Sequence, residues 1–199
     1  MPWSTAVSDG ALTAVCLGAS ATLLRVGGRS RTLGGMGFGL VGFAAALGTL
    51  RFGFFPSIEP AHTAFSRVAG LVGVPLIGVG FATSALSSDA LRKTVGISCL
   101  VALPLGAMAL GWLPLYRLGV GGLAMVVSIA ISARHLSSDR RVGFAGISGA
   151  GLVMLAGLVI GTDGELMGFQ RIDWFHYVLA TANALLALSL LRQGQEPGQ

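Results

Sequence analysis

Two short patterns in the chain place an acid three residues ahead of a histidine, Glu59-x-x-His62 and Asp173-x-x-His176, and each follows a Gly-Thr pair, Gly48-Thr49 and Gly161-Thr162. The chain has three histidines and eight acidic residues, so two such pairs at corresponding points of its two halves stand out. On a helix, residues i and i+3 share a face, so the acid can orient the imidazole or both can bind one metal ion. Helical carboxylate proteins use Glu-x-x-His in this way, with facing helices each contributing a pair. Two pairs at one depth supply two nitrogens and two oxygens, a donor set suited to zinc or another divalent first-row metal with positions left for water. The expected metal ligands are His62 and His176, with Asp173 and Glu59 as ligands or bases and Ser66 one turn beyond His62. Arg51, Arg67 and Asn183 are expected to meet a substrate or a lipid headgroup. An ordinary structural reading stands beside this one. Glu59 before Pro60, and Asp173, can cap helix starts, with both histidines in an interfacial aromatic belt.

The elements that must position these groups are membrane helices. Hydrophobic residues make up 53% of the chain and charged residues 11%, against about a quarter charged in soluble domains. Apolar stretches near 20 residues long recur with short breaks, enough for a ~30 Å hydrocarbon core. The sequence predicts an all-α bundle of seven transmembrane helices, about 10–25, 33–55, 61–86, 93–112, 114–133, 142–161 and 173–192. It forms a single domain over 1–193, followed by a short polar tail, 194–199. The first span is short and resembles a signal-peptide core, but no basic residue precedes it. The second and third spans run in the same direction as the sixth and seventh, as in a parallel 3+1+3 repeat with the fourth span as linker.

Nine of the 13 cations, Arg25, Arg29, Arg31, Arg92, Lys93, Arg134, Arg140, Arg141 and Arg192, fall at one set of loops. The excess of Lys and Arg in cytoplasmic loops makes this the inner side, with the N-terminus outside and the C-terminus cytoplasmic in a bacterial inner (plasma) membrane. Both acid-x-x-His pairs then face outward. Topology and anionic lipids account for the net charge of +5, and no basic and aromatic interleaving points to nucleic acid. Cys16 and Cys99 lack metal-type spacing and are expected to pack. Pro75 and Pro104 interrupt the third and fourth spans, and glycines at Gly35-x-x-x-Gly39 and Gly157-x-x-x-Gly161 are expected to allow close helix packing.

Several chemistries are disfavoured. His62 and His176 could ligate one haem at most. The sole lysine, Lys93, lies in a loop rather than in the last span where a retinal would attach. No phosphate-binding Gly-rich loop ends in Lys-Ser or Lys-Thr, and no Gly-x-Ser-x-Gly elbow is present.

The segments Leu47 to Gly53, with His62 beyond them, and Ile172 to Leu179 resemble those of small bacterial seven-helix membrane proteins of unknown function. The seven spans with histidines near early and final helices are also similar to the superfamily of alkaline ceramidases and adiponectin receptors. That resemblance implies a zinc-dependent lipid amidase or esterase and carries over to His176, and loosely to His62 and Asp173. It departs at Ala180, where the superfamily has a second histidine four residues on. The leading expectation is a metal-dependent hydrolase of a lipid-like substrate. The alternatives are a small-solute transporter of parallel-repeat type, with helix breaks at Pro75 and Pro104, and a non-catalytic interaction subunit.

Overall fold

A computed structural model of the chain describes residues 3–193. Helix α1 runs Trp3–Val26, α2 Arg29–Gly53, α3 Glu59–Val68, α4 Val74–Ser84, α5 Asp89–Leu110, α6 Pro114–Arg134, α7 Arg140–Leu155 and α8 Arg171–Arg192. Helices α3 and α4 are one crossing joined by a π-helical turn, Ala69–Gly73, and α7 continues into a second π turn, Ala156–Ile160. Among the described residues the protein is thus helical with seven crossings, apart from a hairpin pairing Glu165–Leu166 with Phe169–Gln170. Six of the crossings are long and apolar enough to span a membrane, and α6 contributes a shorter apolar stretch, Leu118–Arg134. The first crossing is longer than its sequence suggests. Thr5, Ser8 and Asp9 interrupt its hydropathy yet lie inside the helix, which extends it to 24 residues.

The local breaks have local causes. Pro75 lacks an N–H, so the α ladder cannot close on the preceding turn, and the backbone widens into the π turn there. The second π turn ends at Gly161, where φ is +65° and the amide bonds back to the Ala156 carbonyl at 2.9 Å. In the hairpin, Met167 and Gly168 both have positive φ, the requirement of the tight turn that matches strand twist.

Six crossings close a ring in the order α1, α2, α3–α4, α6, α7, α8 and back to α1, while α5 lies outside it against α2 and α4. Close approach depends on small residues. A Cβ on Gly37 would sit 2.5 Å from the Gly73 carbonyl oxygen, so the α2–α4 contact leaves no room for a side chain. Gly157 and Gly161 do not pack in this way, since both face open space. The cation-rich half of the ring is filled by a dense apolar core that includes Leu23, Phe38, Ile77, Phe81, Met125, Leu186 and Leu190. The opposite half, where α1 begins and α2 ends, holds a cavity and the buried residues Thr5, Ser8, Asp9, Asp173 and His176.

Candidate functional site

Asp9 lies six residues into α1, roughly 9 Å along the axis from the helix start. It is 1% exposed, and Thr5, one turn above it, and Ser8, next to it in the chain, are equally buried. From α8, Asp173 (3% exposed) and His176 (8%) meet them. Thr5 Oγ1 donates to Asp173 Oδ1 at 2.8 Å. Ser8 Oγ lies 3.0 Å from the Thr5 carbonyl, 3.4 Å from Asp173 Oδ1 and 3.2 Å from His176 Nδ1, which is itself 3.4 Å from Asp9 Oδ1. Asp173 is therefore not a helix cap. It is the third residue of α8, the cap position belongs to Gln170, and its carboxylate turns inward onto α1.

The hydrogen inventory sets the ring state. Ser8 has one proton and the carbonyl takes it at the best distance, so the hydroxyl oxygen and the Asp9 carboxylate are both acceptors facing His176 Nδ1. With Asp9 ionised, Nδ1 carries the hydrogen, and a neutral ring keeps its lone pair on Nε2. Because serine and aspartate both address Nδ1, the group is not a nucleophilic triad, which needs them on opposite nitrogens. Two oxygens, Asp9 Oδ2 and Asp173 Oδ2, are buried with no donor. In an apolar interior a carboxylate oxygen without a partner is costly, so both oxygens favour a proton, a water or a cation.

Gly48 of α2 makes the site possible. A Cβ there would collide with the Asp9 carboxylate, its Cγ at only 2.7 Å. The two Gly-Thr copies thus do different work, since Gly161 ends a π turn. The two acid-x-x-His copies differ as well. Glu59 is exposed and bonds Arg51 Nη2 at 2.6 Å, while Arg51 Nη1 approaches His62 Nδ1 at 3.1 Å. A guanidinium only donates, so His62 Nδ1 holds a lone pair and its hydrogen is on Nε2. The Arg51 guanidinium also stacks 4.7 Å over Phe52, whose ring meets His62 edge-on, which fixes the imidazole further.

His62 and His176 line one cavity of about 230 Å³, with Asp9 on the same wall. Ser66 also lines it, and both π turns contribute, through Ala69 and Gly70 on one side and Gly157 on the other. Leu12, Val41, Phe175 and Leu179 make the remaining walls apolar. Of the other sequence-expected residues, Arg67 is exposed on α3 and has no ion pair among the described residues. Asn183 is buried and donates to the Leu179 carbonyl at 2.8 Å, away from the cavity lining. Thr5, Ser8 and Asp9 were not anticipated; the available signal was an aspartate inside an apolar span.

Among the described residues, no three His, Cys, Asp or Glu side chains form a ready metal-binding group. Asp173 Oδ1 is turned to Thr5 and Ser8, and His62 Nδ1 to Arg51. No curated protein and no solved structure gives a significant match to the chain. A family model does match residues 4–195, nearly its whole length, and the chain belongs to that family of unknown function, DUF6962.

Proposed function

We propose that the protein is a membrane-embedded hydrolase of an amphipathic, lipid-like substrate, worked by Asp9, Asp173, His176 and His62 at the extracytoplasmic face of the membrane. The observation that carries this reading is the pair of buried, donorless carboxylate oxygens, Asp9 Oδ2 and Asp173 Oδ2, beside an imidazole that lines the cavity. Asp9 Oδ2 and Asp173 Oδ2 would hold a divalent metal such as zinc, which would supply an activated water. His176, oriented through Nδ1 by Ser8 and Asp9, offers Nε2 as a base. His62, whose lone pair faces Arg51, offers an N–H to the oxyanion that develops as water attacks a carbonyl. In this reading His62 is a donor rather than a metal ligand, Ser66 lies beside the reacting group, and Glu59 holds Arg51 in place. The apolar walls suit the acyl portion of the substrate.

The test is turnover of fluorogenic lipid esters and amides in detergent, with and without added zinc, against folded Asp9→Asn and His176→Gln proteins. The expected result is hydrolysis that falls about a hundredfold or more in each variant, the range for loss of a positioned base. Equal rates in parent and variants would overturn the reading.

A proton-coupled small-solute carrier of the 3+1+3 type is the second reading. It is favoured by the position of α5 outside a ring of two three-crossing units, the arrangement expected of a linker helix, and by π turns beside the cavity. Against it, the large apolar side chains of Leu23, Phe38, Ile77, Phe81 and Met125 pack together across the cation-rich half. A carrier requires that half to open, so reagent access to a cysteine replacing Ser189, in a chain whose native cysteines are serine, would favour it.

A further inference from the structure

Away from the acid–histidine site, at the cation-rich end, a groove of about 580 Å³ separates α5 from α2. Its mouth carries Arg29, Arg92, Lys93 and one acid, Asp89. Arg29 neutralises Asp89, bonding its carboxylate and also its carbonyl at 3.0 Å. Arg92 Nε donates to the Leu86 carbonyl at 2.6 Å, which holds the guanidinium at the mouth and leaves its terminal nitrogens free. Lys93 has no hydrogen bond or ion pair among the described residues. Among the described residues Arg92 and Lys93 thus have no ion pair of their own, where helix α5 also presents its N-terminal dipole. Below them the groove wall is apolar, with Met36 and Ile97 on its two sides. Along α5, Gly96 is the one buried residue, and Ile97, Val101 and Leu105 are more than half exposed.

We propose that this groove is a binding site for one anionic phospholipid, whose phosphate meets Arg92 and Lys93 and whose acyl chain lies along α5 between it and α2. Charge and shape select this occupant together. A free phosphate would leave the apolar wall unused, and a zwitterionic lipid would bring its own cation to a mouth that already has an excess. The lipid fills the gap between α5 and the ring and fastens the helix that packs least. Basic pockets between membrane helices bind anionic headgroups on this principle, each cation near the surface strengthening the attraction.

The experiment is native mass spectrometry of protein released from bilayers of equal phosphatidylglycerol and phosphatidylcholine. The parent is expected to retain one phosphatidylglycerol per chain in preference to phosphatidylcholine. Arg92→Gln/Lys93→Gln should lower that preference about thirtyfold, the effect of removing two such cations. The control Arg134→Gln/Arg140→Gln, at the same end but outside the groove, should change it less than threefold. Ile97→Trp keeps every charge, fills the groove and should also lose the retained lipid, which provides a test if the double variant fails to fold. No preference in the parent, equal loss in the control, or full retention in Ile97→Trp would overturn the proposal.

Discussion

At the scale of single residues, the buried cluster is held by very few hydrogen bonds, so each has a measurable consequence. Thr5→Val removes the best donor to Asp173 and leaves a buried carboxylate oxygen without a partner. The expected cost is about 1–3 kcal/mol, read as a lower thermal unfolding midpoint in detergent. Gly48→Ala forces a methyl group against the Asp9 carboxylate. It should lower stability by about 1–3 kcal/mol and abolish whatever activity the site has, whereas Gly157→Ala, facing open space, should leave stability unchanged. The common neighbourhood of His62 and His176 was legible because a repeated spacing marked both. The role of Asp9 was not, because a lone acid in the first span has no sequence partner and its neighbour, His176, lies 167 positions away. The same blindness applies to Glu59 and Asp173, alike in spacing yet opposite in environment. Glu59 starts α3, which buries none of its residues, while Asp173 faces the α1 contact.

At the scale of elements, the two π turns position the cavity walls. The interrupted ladder at Pro75 widens the backbone directly below Ala69 and Gly70, so the direction in which His62 and Ser66 point depends on it. Pro75→Ala restores an N–H and permits an ordinary α ladder. Removing the π insertion would turn α3 by about 100° relative to α4. The expected outcome is loss of activity with an unchanged or raised unfolding midpoint; a fully active Pro75→Ala protein would show that the π turn does not set the site. Proline position was visible in the sequence, and a kink was expected at both Pro75 and Pro104. The difference between them was not visible. Pro104 sits within α5, which continues as one helix from Asp89 to Leu110.

At the scale of the whole molecule, the ring packs an apolar cluster at its cation-rich half and encloses a cavity at the other. The recurring apolar stretches marked seven crossings, and each appears within a few residues of its expected ends except the first, which extends to Trp3. The order of crossings around the ring could not be read, because hydropathy in a membrane helix does not distinguish lipid from a neighbouring helix. The proposed sidedness places the 165–170 hairpin outside. A cysteine replacing Met167, in a chain with Cys16 and Cys99 changed to serine, should react with an impermeant maleimide on intact cells, and one replacing Ser137 should not. The reverse pattern would place the acid–histidine site on the cytoplasmic face.

In the proposed function Asp9 and Asp173 hold a divalent cation beside His176. Metal content of the detergent-purified protein, taken by elemental mass spectrometry beside a folded Asp9→Asn/His176→Gln variant, tests it most directly. The parent should carry close to one zinc or other divalent first-row metal per chain, and the variant none. A metal-free parent that also fails to take up added zinc, or equal metal in both proteins, would contradict it.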